Sequence, residues 1–582
     1  MRKLLTVSIC IATAFLAGCV SPVSRSAEQE LRETLLNSHR QFTREIARGE
    51  VRTQREPSAV ERELRRREGA IEELDEASGI DSYQDQPLDL GPDLEGEAEV
   101  ETVGMTLQHA IQTAVRHNID YRAARLLPAA QQTQIIRAEA AFDAAFFTGF
   151  EYARTKRPEA TLGVPGIGDI TQRTVGLETG IRKPLTSGGR VQLSTGFDRI
   201  STSPAPFDPD PRWESEIVLG LQQPLLRGFG TEVNTAGIRL AHSAHRQSVE
   251  EVRQSLIEMV DAVEAAYWAL VRARQNLLIQ TRLLEQTIRD REVLDQRRIL
   301  DVRPATYTEV LAREEVRRGE VIRARQQVRR ASDALKRLIN DPKLPLAGEV
   351  LIEPRDLPQD LPLKFNLLDA VTTALRERPE ARRALLRIQD ASLRQRVADN
   401  NRLPLLDLSF TLRFSEVADS FGRSYGDIFK EGDFIDYIIG AQFEIPIGNR
   451  DAEALFSQRR IERHQSVLNY QRITQDVVLE VKDAMRDLLT AYELVGATRA
   501  SRRAAAENLR ALEAEQEVGV PLTPEFIDLK LRRQEALAQA QQQEIDALIA
   551  YNNAISSFFK ATGTLLQRNQ IIFDPAGVDE LE

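Results

Sequence analysis

The chain has 582 residues, of which 28% are charged and 6% aromatic, and its formal net charge is −11. A balance this acidic excludes nucleic acid as a partner, because phosphate binding needs a basic surface, and sparse aromatics suit long solvated helices rather than a string of compact cores. The only cysteines, Cys10 and Cys19, leave the rest of the chain without a disulfide framework or a cysteine-rich metal site.

At the N-terminus, Arg2 and Lys3 precede an apolar run from Leu4 to Phe15 that closes on Leu16-Ala17-Gly18-Cys19. A basic start, a short apolar stretch and small residues make a secretory signal. The Leu-Ala-Gly-Cys box resembles that of bacterial lipoprotein signals, which implies cleavage at 1–18 and lipidation of Cys19. Val20 rather than Asp follows, which implies sorting to the outer membrane. No other stretch has the roughly 18 apolar residues of a spanning helix, so any membrane-spanning part must be a barrel.

From Ser24 to about Ala77 the sequence is polar, with helical spacing in Leu31, Leu35 and Phe42 and a break around Gly49 to Pro57. Two short helices that pack on something else are expected. Glu72 to Glu101 is rich in acid, Gly and Pro and lacks Lys and Arg, which reads as a flexible acidic linker.

Organised sequence begins at Thr106 and is duplicated. A shift of 260 residues places Leu107, Ala110, Thr113, Ala114, Arg116 and Phe150 on Leu367, Ala370, Thr373, Ala374, Arg376 and Phe410 without a gap. Each copy then changes from helical period to alternation, with Phe146, Thr148, Phe150 and Tyr152 on one face in the first and Leu406, Leu408, Phe410, Leu412 and Phe414 in the second. A second strand follows in each and ends at Pro224 or Pro446. Alternation alone fits a half-buried strand of a soluble sheet better than a barrel wall. Between its two strands the first copy also carries an extra hairpin, Val175 to Ile181 and Val191 to Phe197 around a Pro184 to Gly189 turn. Alternation leaves open whether that hairpin joins a sheet or projects beyond it.

Long helices come next. Leu256, Val263, Leu270, Leu277 and Leu284 recur every seven residues in a stretch from about Ala236 to Arg298. At 1.5 Å per residue such a rod would reach about 90 Å. Its counterpart near Val467 to Glu513 keeps a four-three spacing through Val477, Val481, Ala484, Leu488, Ala491 and Val495. Each rod ends in a break, Asp301 to Thr306 or Val518 to Pro524, and a returning helix, giving two antiparallel hairpins. The proline-rich stretch Asp341 to Asn366 reads as a crossover linker.

The expected plan is a signal at 1–18, an N-terminal extension and linker at 19–104 and a first repeat at 105–340, with strands in 145–223 and a helical hairpin at 236–340. A crossover at 341–366, a second repeat at 367–568 and a tail at 569–582 complete it.

From Thr106 to about Leu566 this plan resembles the TolC-like outer-membrane factors. The openings Leu107 to Asn118 and Leu367 to Pro379, the entry Arg402-Leu403-Pro404, the exits at Pro224 and Pro446 and the tip Val518-Gly519-Val520 carry the likeness. The resemblance implies an α+β fold with a long α-helical barrel in the periplasm and a β-barrel in the outer membrane, each completed by a homotrimer of internally duplicated protomers. It implies a passive exit channel for an efflux pump or type I secretion system, fed by an inner-membrane transporter through a periplasmic adaptor. It further implies adaptor contacts at Val302, Arg303, Pro304, Val518, Gly519 and Val520, and a periplasmic gate at Glu525 and Asp528 just past the second tip. The first tip lacks the usual Gly, and the N-terminal extension and extra hairpin lie outside the shared core.

An adaptor would carry one helical hairpin between small β-domains, and a structural coiled coil would need no strands; duplicated strands and two hairpins weigh against both. Enzymatic chemistry is not expected. His242 and His245 share a helix face without further ligands, Gly228-Phe229-Gly230 lacks the lysine of a phosphate loop, and no cofactor site is legible.

Overall fold

The computed structural model describes residues 50–160, 167–203, 208–297, 303–430, 434–518 and 523–574, apart from positions 54, 68, 84, 85, 87 and 93–99. The signal and Cys19 lie outside the described residues, as do Val302, Gly519 and Val520. In chain order the elements are β1 (Glu50–Arg52), α1 (Ala59–Leu64), α2 (Ala70–Ser78), β2 (Thr102–Met105), α3 (Leu107–His117), α4 (Ile119–Ala124) and α5 (Leu126–Glu139). Four strands follow, β3 (Ala145–Ala160), β4 (Ile167–Pro184), β5 (Arg190–Ser203) and β6 (Arg212–Pro224), then the long helices α6 (Ala236–Arg297) and α7 (Pro304–Ile339). The second half holds β7 (Leu351–Pro354), β8 (Lys364–Asn366), α8 (Leu367–Glu377), α9 (Pro379–Asn400), β9 (Leu405–Ala418), α10 (Phe421–Lys430), β10 (Ile435–Glu444), α11 (Arg450–Glu517) and α12 (Pro524–Ala561).

Two compact units emerge. One, Ala129–Gln247 with Ala384–Asn469, is built on an antiparallel sheet of six strands in the order β10-β9-β6-β5-β4-β3. The extra hairpin of the first copy is β4 and β5, and it lies within this sheet between β3 and β6. Its turn is closed by hydrogen bonds from Leu185 N to Gly189 O (2.8 Å) and from Gly188 N to Leu185 O (2.9 Å). Gly188 has φ +95°, and a Cβ there would stand 2.1 Å from Gly228 O, so no other residue fits the position.

The other unit, made among the described residues of 50–128, 248–383 and 470–574, holds the helical core. Equivalent caps open the two copies: the Thr106 side chain accepts from His109 N, and Asn366, 260 residues on, accepts from Leu368 N at 2.9 Å. On α6 the seven-residue seam from Leu256 to Leu277 is buried, but farther along burial passes to Leu283, Thr287 and Leu294 while Leu284 and Ile288 become half-exposed. A helix of 3.6 residues per turn drifts against a strict seven-residue repeat, and the seam slips with it. Burial of Ile257, Trp268, Val271 and Leu278 beside the seam shows α6 packed on more than one neighbour.

Two stretches differ from the sequence expectation. Glu72 to Glu101 is not simply a flexible linker: Glu72 to Ser78 lies in α2, Ile80–Tyr83 forms a 3-10 turn, and Leu74, Tyr83 and Leu90 are buried. Its acidity had suggested a solvated tether, but the helices beneath it present arginines that match those charges. Similarly, the crossover 341–366 contains two strands, β7 parallel to β2 and β8 antiparallel to β1.

Candidate functional site

Alternation in the six-stranded sheet sorts its residues onto two unlike faces. One face carries Phe146, Phe150 and Tyr152 on β3, Leu177 and Ile181 on β4, Leu193 on β5, Leu219 and Leu221 on β6, and Tyr437, Ile439 and Phe443 on β10. These are large apolar side chains left open to surroundings, with Phe146, Phe150 and Ile439 more than 70% exposed. The opposite face is polar: Glu151, Gly176, Asp198 and Glu214 align across four strands, with Glu178 and Glu216 in the adjacent row. Arg413 pairs with Glu216 at 3.2 Å and Arg212 with Glu214 at 2.6 Å. The end strands β3 and β10 each have a single neighbour, so two rows of backbone donors and acceptors lack partners within the sheet.

A second feature lies where the two helical hairpins meet near their ends. Leu294, Val310, Ile527 and Leu531 form a small apolar cluster. Polar links surround it: Arg313 on α7 reaches Asp528 on α12 at 3.1 Å, and Lys530 on α12 reaches Asp290 on α6 at 2.6 Å and Gln516 on α11 at 2.9 Å. Gln534 donates to the other Asp290 oxygen at 2.8 Å. Arg317 is buried in the middle, donating to Leu531 O at 3.2 Å, to Gln534 Oε1 at 3.3 Å and to Thr287. Burial lowers its pKa to about 10, since no carboxylate bonds the guanidinium directly.

The two acidic residues expected at the gate take different places. Asp528 is engaged by Arg313 and, at 2.6 Å, by Arg532. Glu525 is exposed in the first turn of α12, where backbone and Thr523 hydrogen bonds, helped by the Arg303 charge, hold its carboxyl below the usual range. Of the expected tip residues within the described part, Arg303 is the N-cap of α7, Pro304 its first helical residue, and Val518 is 88% exposed.

Sequence reading missed a third feature, a charged knot between the N-terminal segment and α11. Arg503 bonds Asp75 through two nitrogens and Glu61 through a third at 2.6 Å. Arg502 binds Asp75, Ser78 and Glu544, and Gln541 donates to Ser78 O at 2.8 Å. Arg282 stacks over the Tyr83 ring at 3.9 Å and donates to Ser82 O. Val495, Arg502 and Leu509 lie seven apart and all are buried; continuing the α11 seam past Val495 would have placed a buried arginine there.

Among the described residues no helix is long and apolar enough to cross a membrane. This combination of a two-faced sheet with duplicated helical hairpins is shared with solved structures of outer membrane channels. Solved structures with this fold include the outer membrane channel CmeC of Campylobacter jejuni, at TM-score 0.55 and 15% identity over 82% of this chain and 92% of that one. The outer membrane channel MtrE of Neisseria gonorrhoeae superposes at TM-score 0.53 with 16% identity over 79% of this chain and 89% of its own. VceC, an outer membrane protein of Vibrio cholerae, gives 0.55 and 15% over 78% and 96%. No protein-family model matches the chain, and no curated protein matches it by sequence.

Proposed function

We propose that this chain is the outer-membrane exit channel of a tripartite efflux pump or type I secretion system, conducting its cargo passively from a periplasmic adaptor and an inner-membrane transporter to the exterior. The observation that carries this reading is the sheet with one apolar face, one polar face and two unpartnered edges. Lipid satisfies an apolar wall but no open edge, so β3 of one copy must meet β10 of the next. Three copies, at six strands each, make an eighteen-stranded wall around a polar lumen. Since barrel diameter grows roughly linearly with strand number, β4 and β5 widen the pore by about half relative to a wall without them.

In this reading the lipid on Cys19 anchors the N-terminus, the ends of the helical hairpins around Arg303, Pro304 and Val518 meet the adaptor, and Asp528 and Glu525 serve the periplasmic gate. Cargo gains no energy from this chain, so the transporter must supply it. Planar-bilayer recording and native mass spectrometry of the detergent-purified protein test the core claim. Trimers with steady ohmic conductance are expected; a monomer that leaves the bilayer silent would refute it. Mass spectrometry of the mature N-terminus should find a lipidated Cys19, absent after Cys19→Ser.

A further inference from the structure

The apolar face of the sheet changes character at the end remote from the strand exits. Two residues beyond Tyr152 on the same face stands Arg154, and the register puts Arg154 directly opposite Arg173 of β4. Arg173 faces Ser201, two residues from Arg199 on β5, so Arg199 is its diagonal neighbour on that face. Directly opposed Cβ atoms lie about 5 Å apart and diagonal pairs about 7–8 Å, so three guanidiniums crowd into one patch. All three are exposed, and none has an ion pair or hydrogen bond among the described residues. Asp169, the acid nearest in register, is taken by Lys156 at 2.5 Å. Glu151, Glu178 and Asp198 belong to the opposite face.

Beside this patch lies an aromatic belt. Trp213 is the cross-strand partner of Arg199, and α10 rests on the same face, fixed by a 2.6 Å hydrogen bond between the Ser424 and Ser215 hydroxyls. Phe421 and Tyr425 of α10 meet the Phe197 ring at 5.0 and 5.2 Å, and Phe421 meets Trp213 at 5.9 Å. Phe429, next in the stripe, is 69% exposed. Along the strands this face therefore runs from an apolar band to a level where aromatic rings and Arg199 share a row, with Arg154 and Arg173 one row farther on. That is the sequence of environments that lipid presents from acyl chains through the interface to the phosphates.

Clustered like charges destabilise a sheet unless an anion offsets them, and planar guanidiniums grip phosphate oxygens in pairs. We propose that Arg154, Arg173 and Arg199 form a binding site for the phosphorylated headgroup of an anionic lipid in the outer leaflet, whose chains lie along Phe150, Tyr152 and Leu177. The proposal rests on the membrane-spanning reading of the sheet and adds to it a specific lipid class at a specific place.

Native mass spectrometry of the detergent-purified full-length protein, titrated separately with lipid A, phosphatidylcholine and inorganic phosphate, tests it. Lipid A, with its two phosphates, should bind in preference to phosphatidylcholine. At about 1 kcal/mol for each basic residue near an anionic surface, each Arg→Gln substitution should weaken lipid A binding about fivefold and all three together about a hundredfold. Arg182→Gln, on the polar face, should bind as the wild type does, and Arg173→Lys should fall between Arg173→Gln and the wild type. Unaltered lipid A binding by the triple variant overturns the site while leaving the channel intact if that variant still conducts. Saturable binding of inorganic phosphate that displaces lipid A at equal concentration would mark a small-anion site and also overturn the lipid assignment. A wild type that neither inserts nor conducts would instead refute the channel reading.

Discussion

Arg503 on α11 holds Asp75 on α2 in a two-point grip, Nε to Oδ1 at 3.0 Å and Nη2 to Oδ2 at 2.6 Å, across 428 residues of sequence. This fork fixes the N-terminal segment to the second helical hairpin, and Arg502 reinforces it from the neighbouring position.

Burial by itself would raise the Asp75 pKa, but the hydrogen bonds from Arg503 and Arg502 outweigh it and hold the carboxyl below its ordinary value of 3.8. A depressed carboxylate contributes its stabilisation above the unfolded value and loses it as pH falls through the folded one. Asp75→Asn should therefore cost about 2 kcal/mol near neutrality, less than a fully buried pair because water reaches the Asp75 side chain, which is 36% exposed. Hydrogen exchange of the 70–83 segment should quicken in Asp75→Asn at pH 7. In the wild type the same quickening should appear only as pH drops below about 4, with the intrinsic exchange rate allowed for.

The links between hairpin ends predict a coupled clamp. Arg313→Ala and Asp528→Ala should each raise single-channel conductance, and the double variant should add little to either, since both remove one contact. Lys530 and Asp290 are 13% and 15% exposed, so their pair should show the stronger coupling in a thermal double-mutant cycle, about 1–3 kcal/mol against less than 1 for Arg313 and Asp528. Glu525→Gln should lower the melting temperature only slightly, since the carboxylate it removes is exposed, and should weaken block by multivalent cations. Equal block in the variant and wild type would remove Glu525 from the gate.

Arg317 separates stability from specificity. Thr287 also donates to Leu283 O and Gln534 Nε2 also donates to Asp290, so removing the guanidinium takes a donor only from Gln534 Oε1 and Thr287 Oγ1 and leaves both side chains otherwise bonded. Arg317→Met should leave the melting temperature within a few degrees of the wild type, or above it, because burying that charge has a desolvation cost. Its conductance should nevertheless rise or become noisier, as the polar key between hairpins is gone. A large loss of stability with unaltered conductance would contradict this.

Asn118 is 3% exposed and performs two tasks, accepting from Tyr121 N at 2.9 Å to cap α4 and donating to Leu338 O of α7 at 2.7 Å. Asn118→Ala should lower stability by about 2 kcal/mol, a cap plus a carbonyl left without its donor. At the equivalent place in the second copy Arg378 binds Glu380 at 3.1 Å and also Glu480. Arg378→Ala is expected to be salt-sensitive where Asn118→Ala is not, which melting in low and high salt would distinguish.

For the proposed channel, the extra hairpin gives the most direct test of pore width. Replacing 161–207 with a short turn would join β3 to β6, which run antiparallel, and reduce the sheet from six strands to four. If conductance follows the barrel's cross-section, it should fall to roughly half. Unchanged conductance would show that the hairpin contributes nothing to the pore wall.

Local pattern sufficed for much of this protein. Alternation from Phe146 to Tyr152 and from Leu406 to Phe414 marked strands, the repeats from Leu256 and Val477 marked rods, and the breaks Asp301 to Thr306 and Val518 to Pro524 marked where the rods turn into returning helices. These signals are periodic and lie close in sequence, so backbone geometry alone translates them. Partner choice is different. That β4 and β5 enter the sheet between β3 and β6 depends on hydrogen bonds to strands with ends the sequence does not align. That Asp75 meets Arg503, and Asp528 meets Arg313, depends on helices brought together from 428 and 215 residues away. An acidic stretch read in isolation has only water to solvate it, which is why 72–101 looked like a tether. Once the fold supplies arginines at hydrogen-bonding distance, the same charges become anchors, and only tertiary structure decides between the two.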